Sequence, residues 1–280
     1  MQSGQGVMSR DEVKVDKETK KQGDTRFVSL STCLAPPEAA SRGVPSLVWR
    51  AGQERRLQMV RRWAGLAGKR VLDVGCGVGM YTSAFLRAES LVFGVEVEHE
   101  RALEARERAS GVAQAVGESL PFPEAAFDII FSHEVLEHVA DDRASVAEMV
   151  RAVRPGGRIL IFVPNRLYPF ETHGVFWRGK YRFGNIPLVN WLPAVLRDRL
   201  APHVRAYTAS GLCRLFDGHP VRIIHHAVVF PGYDNIVARK PGLGRLLRTV
   251  TYALERTPLR AFGLSHLLVV EKMRNAKRDA

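Results

Sequence analysis

The sequence predicts an α/β fold in which a parallel sheet is wrapped on both faces by helices. Three observations carry that prediction. Between residues 70 and 163, short β-rich runs alternate with helical runs (70–74, 81–88, 91–96, 100–110, 112–116, 127–132, 142–153 and 158–163), and repeated strand–helix alternation builds a parallel sheet. The first apolar run ends in the glycine-rich bend VLDVGCGVG (71–79) and leads into a helical run. Pro155, Gly156 and Gly157 then stop the last of these helices and turn the chain into a fifth strand.

Composition agrees with one sizeable core. The chain has 280 residues with a 46% apolar share, which excludes a disordered polymer, and no run approaches the roughly 20 apolar residues of a bilayer span. It reads as soluble. Cys33, Cys76 and Cys213 are dispersed and odd in number, supporting neither a disulfide framework nor a thiolate zinc site and fitting a reducing cytoplasm. The first twenty residues are charged and polar rather than basic then apolar, so no signal peptide is expected. The net charge of +12 is uneven: residues 69–165 are net acidic and both flanks are net basic. Such a distribution suits a catalytic middle whose flanks meet an anionic surface, substrate or nucleic acid, although solvated arginine-rich faces give the same count.

The remaining elements follow in chain order. Residues 1–43 mix charge with Gly, Ser and Pro without a period and are expected to be a flexible leader. Over 44–68, Leu47, Val48, Leu57, Val60, Trp63 and Leu66 recur at mostly helical spacing among Arg55, Arg56, Arg61 and Arg62. This predicts an amphipathic helix ahead of the core, placed to lie over the mouth of a site. Residues 166–207 hold eight aromatic residues and four prolines, and read as an irregular insert capping a substrate. A helix over 208–217, capped by Thr208 or Ser210, and strands at 221–230 and 266–271 complete the chain. Between those strands, Leu243, Leu246, Leu247, Val250 and Leu254 share one helical face opposite Arg245, Arg248 and Arg256. Packing on the sheet is the default expectation for that face, and a membrane surface is the alternative.

Chemistry concentrates at the glycine bend. Gly75, Gly77 and Gly79 let backbone approach a ligand, and the following helix start offers unpaired N–H groups, as an adenine-containing cofactor would require. A dinucleotide fingerprint needs its third glycine at position 80, which is Met80, and no Gly-Lys-Ser/Thr follows for a phosphate loop. Asp73, two positions before the first glycine, would repel a pyrophosphate and suits a cationic amino-acid ligand.

With these residues the bend resembles motif I of the class I S-adenosylmethionine-dependent methyltransferases. The resemblance implies a Rossmann-like, seven-stranded, mostly parallel sheet over 69–280, with helices on both faces and an antiparallel last strand. S-adenosylmethionine would sit against Asp73, Gly75, Cys76, Gly77 and Gly79 at the carboxyl ends of the strands. Glu96 ends the second strand where the family's acid accepts both ribose hydroxyls. GESLPFPEAAFD (117–128) resembles the family's segment after the third strand, but Val116 stands in place of the usual aspartate, so Gly117 and Glu118 would supply the adenine contact. FDIIFSHEVLEH (127–138) places Ser132 and His133 beside the transferable methyl group. His133 then either takes a proton from a hydroxyl acceptor or lines the pocket without proton transfer.

Glu134, Glu137 and His138, expected on a helix, follow an order similar to that of metal-dependent O-methyltransferases of the ubiquinone-biosynthesis and small-RNA-terminus types. His203, or alternatively His173, would complete a site for magnesium or another hard divalent ion. The same order also occurs in metal-free members. The expectation is methyl transfer to a small-molecule or lipid-like acceptor, through oxygen, under the aromatic lid. The alternatives are an RNA methyltransferase using the basic flanks, and a membrane-associated binding protein that keeps the fold.

Overall fold

The computed structural model describes residues 49–274, so the expected leader (1–43) and the start of the first predicted helix lie outside the described residues. Helix α1 (Ala51–Trp63) opens the described chain. The α/β run is β1 (Arg70–Val74), α2 (Met80–Leu86), β2 (Leu91–Glu96), α3 (His99–Arg106), β3 (Gly111–Gln114), β4 (Phe127–His133), α4 (Asp142–Ala152) and β5 (Val153–Pro164). The insert contributes four short strands, β6 (Phe170–Glu171), β7 (Val175–Trp177), β8 (Lys180–Arg182) and β9 (Ile186–Pro187), then a 3-10 turn (Val189–Trp191) and α5 (Ala194–Leu200). The chain continues through α6 (Ala209–Arg214), β10 (Val221–Val229), α7 (Asp234–Arg239), α8 (Pro241–Leu254), a second 3-10 turn (Pro258–Phe262) and β11 (Ser265–Lys272).

Seven of these strands form one sheet in the order β10-β11-β5-β4-β1-β2-β3. Only β11 runs against its neighbours, pairing antiparallel with both β5 and β10. The resemblance implied this architecture. Central strands covered on both faces read as continuous apolar runs, and Ile159 to Val163 and Leu267 to Val270 are buried throughout. Alternate residues feed opposite faces. Leu72, Ile130, Ile161 and Leu268 pack with Val146, Met149 and Val150 of α4, whereas Val71, Phe131, Phe162 and Leu267 pack with Leu57 and Val60 of α1 and Phe85 of α2. Each such side chain contributes about 1.5–3 kcal/mol when fully buried.

Two boundaries differ from the sequence expectation. Strand β5 begins at Val153 rather than 158, because Val153 pairs with Phe127 and the Pro-Gly-Gly stretch is absorbed as a register shift. Gly157 is needed there: a Cβ would lie 2.7 Å from the Asp128 carbonyl oxygen. Strand β3 spans Gly111–Gln114 instead of 112–116.

Helix α8 corrects the default packing expectation. Its predicted apolar face is split: Leu243, Leu246 and Val250 are exposed, whereas Leu247 and Leu254 are half-buried. The side away from the exposed three is the packed one. Gly244 lies so close to α7 that a Cβ would be 2.6 Å from Val237 Cα. Arg248 donates to the Gly232 carbonyl (2.8 Å) and to Asp234 (3.2 Å). The Arg55 guanidinium lies over the Tyr252 ring (3.7 Å), and Arg55 also donates to Glu255, just past the helix (2.9 Å). Specific polar contacts outrank the leucine stripe in setting this orientation.

Candidate functional site at the carboxyl ends of β1, β2 and β4

The three glycines of the bend have different jobs. All have positive φ, the left-handed region that favours glycine (+72° at Gly75, +54° at Gly77 and +83° at Gly79). A Cβ on Gly75 would strike Val135 Cγ2 at 2.3 Å, and one on Gly79 would lie 3.1 Å from Arg108 Cβ. Neither touches open space. Gly77 does: nothing lies within 4 Å of its Cβ position, so this is the glycine whose missing side chain leaves room beside the bend. Cys76 packs inward against Gly94, Ala102, Ala105 and Val112, and burial pushes its thiol well up, leaving only its backbone for a ligand.

The acids around the bend are buried. Asp73 is 3% exposed and accepts one side-chain hydrogen bond, from Thr82 Oγ1 (2.8 Å). Burial, with a smaller contribution from the Glu96 charge, pushes its carboxyl up to about 7 against the Thr82 bond. Glu96 is better satisfied, accepting from the backbone N–H groups of Gly77 (2.8 Å), Val97 (2.9 Å) and Glu98 (3.0 Å). Gly117 approaches α4, where a Cβ would come 2.9 Å from Ser145 Oγ. The Glu118 carboxylate is engaged by the N–H groups of Ala140 (2.6 Å) and Asp141 (3.2 Å), ahead of α4.

The end of β4 gathers buried polar atoms without partners. Ser132 Oγ, His133 Nε2, Tyr81 Oη and both carboxylate oxygens of Glu137 are buried and accept or donate no hydrogen bond. Such groups cost about 1–3 kcal/mol each unless something meets them, which is an observation that points to a ligand. His133 stacks among Tyr81, Phe131 and Phe162. Burial, then the Arg56 charge, push its imidazole down to about 3, so it is neutral at physiological pH.

Residues 134–138 form a turn rather than the helix expected for the Glu-x-x-Glu-His stretch. The turn starts at Glu134 with φ +55°. Glu134 accepts from Ser265 Oγ (2.9 Å) and lies 3.9 Å from Arg56; although burial opposes it, His133 and Arg56 hold its carboxyl below the usual range. Glu137 is the reverse case. Burial and the Glu134 charge raise it well above that range.

Of the two histidines expected to complete the set, His173 lies with Glu137 and His138. Glu137, His138 and His173 each offer a donor atom within 4.8 Å of the others, whereas His203 turns its Nε2 to the His173 carbonyl (3.2 Å) and Glu134 is held by Ser265. His138 directs Nδ1 to the His203 carbonyl (3.3 Å), and His173 directs Nδ1 to Glu171 (3.1 Å). Those acceptors place the proton on Nδ1 of each ring. One carboxylate and two imidazoles suit a divalent ion.

Sequence reasoning missed the support for His173. Glu171 is buried and accepts from the His173 N–H (2.9 Å) and from Arg197 (2.9 Å), itself 3% exposed. Burial alone would raise Glu171, but the His173 hydrogen bonds and the Arg197 charge keep it ionised at lower pH. Both residues lie in the insert, where no periodicity marks them. The insert also docks on the turn itself: Arg205 donates to the Val139 and Ala140 carbonyls, and Tyr207 to that of Leu136 (2.9 Å).

Comparison with known proteins places this geometry. Residues 72–161 match the family described as "Methyltransferase domain". A ubiquinone biosynthesis O-methyltransferase of Aromatoleum aromaticum is 36% identical over 126 residues, covering 40% of this chain and 50% of that protein. The chain thus spans about half the length of the curated relatives it matches. Among solved structures, an S-adenosylmethionine-dependent methyltransferase from Mesorhizobium loti superposes with a TM-score of 0.56 at 17% identity, over 79% of this chain and 98% of the other. The [4+2]-cyclase SpnF superposes with a TM-score of 0.53 at 18% identity, over 84% and 86%. At such identities the likeness is one of fold, and a cyclase within the set shows that fold alone leaves the reaction open.

Proposed function

We propose, for a chain that belongs to the class I S-adenosylmethionine-dependent methyltransferase superfamily through its residues 72–161, that it transfers a methyl group to a hydroxyl oxygen of a small-molecule or lipid-like acceptor. The observation that carries this reading is adjacency. Val135, inside the turn that presents Glu137 and His138, is the side chain a Cβ on Gly75 would strike at 2.3 Å. That contact supports reading the glycine bend and the candidate cation cluster as one site, with the methyl donor on one side and an oxygen-activating group on the other. The O-methyltransferase relative points the same way.

In this reading S-adenosylmethionine supplies an electrophilic methyl group on a cationic sulfur. Asp73 attracts the positive end of the ligand, and the space beside Gly77 admits it. Glu96, held by three backbone donors, would accept from the ribose hydroxyls with its remaining acceptor capacity. Tyr81, Ser132 and His133 line the reacting end. With its imidazole held at about 3, His133 orients groups as a neutral partner, and the hydroxyl proton released as the O–CH3 bond forms passes to solvent. Glu137, His138 and His173 would hold a divalent ion, which would supply Lewis acidity toward the acceptor hydroxyl. Glu171 and Arg197 position His173 for that task. Residues 166–207 cover the acceptor.

Tritiated-methyl transfer to a panel of hydroxylated small molecules and lipids, with and without a chelator, tests the proposal. Loss of transfer on chelation, restored by magnesium or manganese, is expected. Gly77→Val should weaken S-adenosylhomocysteine binding by more than about a hundredfold, because it fills the space beside the bend. Unchanged calorimetric affinity would move the ligand elsewhere.

A further inference from the structure

We propose that helix α8 docks the protein onto an anionic lipid surface, its apolar stripe entering the interface while the surrounding arginines and lysine meet lipid headgroups. The stripe is unusual in what it faces. Leu243, Leu246 and Val250 are 48%, 61% and 48% exposed, and they recur at three- and four-residue steps on one side of the helix. Leu247 and Leu254 are half-buried on the packed side of α8 with Gly244, Arg248 and Tyr252, whereas Leu243, Leu246 and Val250 lie on the exposed side. An amphipathic helix with its apolar face outward and cations at its edges is the form that lies in a membrane interface.

Charge selects the occupant. Between residues 235 and 264 the chain carries Arg239, Lys240, Arg245, Arg248, Arg256 and Arg260 against a single acid, Glu255. That acid is turned inward, bound to Arg55 (2.9 Å) and to the Phe230 N–H (2.8 Å). Arg248 is likewise committed to Gly232 and Asp234. The other five cations are exposed, and none forms an ion pair among the described residues. The surface is therefore cationic without internal compensation, as attraction to anionic headgroups requires. The apolar surface continues past the helix: Leu259 and Phe262 are 51% and 42% exposed, and Phe262 contacts Trp191, itself 50% exposed, at a ring separation of 6.1 Å. Aromatic side chains of this kind favour the headgroup level. No helix among the described residues is long and apolar enough to cross a membrane, so the attachment is peripheral.

A second copy of the chain fits less well. A two-fold contact would set the same cations against one another, and one short stripe falls below the about 800 Å² per partner of a stable interface.

Co-sedimentation of the full chain with phosphatidylcholine vesicles, with and without phosphatidylglycerol, is the test. Binding is expected only where phosphatidylglycerol is present, and should weaken as salt rises. Leu246→Glu and Val250→Glu should each lower it by about tenfold, and the pair Arg245→Glu with Arg256→Glu by a similar factor. All four positions are exposed, and unchanged S-adenosylhomocysteine affinity in each variant reports an intact fold. A wild-type chain that stays in the supernatant with both vesicle types would overturn the proposal. So would Leu246→Glu variants that sediment like the wild type, or a doubled solution mass that Leu246→Glu returns to the monomer value.

Discussion

Helices α4 and α8 carry the same kind of pattern and use it in opposite ways. In α4, Val146, Met149 and Val150 fall on one face and enter the core beneath the sheet, while Asp141 caps the start by accepting from Arg143 and Ala144. In α8 the apolar residues recur as regularly, yet Leu243, Leu246 and Val250 face outward and the helix is held by its glycine and polar residues. An amphipathic period establishes that a face exists; it does not say whether the partner is inside the molecule. The same division runs through the candidate site. Glu96 and Glu118 find their donors within the chain, whereas Asp73 has one and Glu137 has none.

Four measurements would sharpen or break that contrast. The largest effect belongs to the inward face: Met149→Ala should cost roughly 2–5 kcal/mol in urea unfolding, and a loss near zero would mean that α4 is not packed as described. Asp73 comes next. An unfolded aspartate ionises near 3.8 and the folded one near 7, so this group's contribution to the ligand-free protein is complete below about 4 and is lost as pH rises toward 7. Asp73→Asn should therefore raise stability at pH 8 by up to about 4 kcal/mol while weakening S-adenosylmethionine binding. A variant with the wild type's pH dependence would contradict the buried, poorly paired state of Asp73.

Glu137→Gln should lower manganese affinity by about 10–100-fold. Because Glu137 is raised well above its ordinary range and must shed its proton to bind a cation, the wild type should bind manganese more tightly as pH rises. Calorimetry showing no manganese binding at any pH would remove the ion from the site. The smallest effect is expected outside: Leu246→Glu should change folding stability by no more than about 0.5 kcal/mol, and a large loss would mean that α8 packs through Leu246 after all.

Much of this is legible in the amino-acid sequence. The strand–helix alternation of residues 70–163 fixed the sheet, because a strand covered on both faces needs a continuous apolar run and each helix needs a single apolar stripe. The glycine bend, Glu96 and the Glu-x-x-Glu-His stretch were visible as spacing. Less legible was the insert, where Glu171 and Arg197 sit among short strands that leave no period, and where Thr208 rather than Ser210 proves to cap α6 by accepting from Gly211.

Local order thus came from the sequence: which segments are strands or helices, where the backbone must bend, and which acids stand at strand ends. Tertiary structure alone decided that Gly77, and not its two neighbours, borders open space, that His173 joins Glu137 and His138 in place of His203, and that α8 turns Leu243, Leu246 and Val250 outward. The physical reason is range. Periodicity and turn chemistry act between residues a few positions apart, whereas these three outcomes depend on Val135, Glu171 and Val237, side chains brought in by the path of other elements.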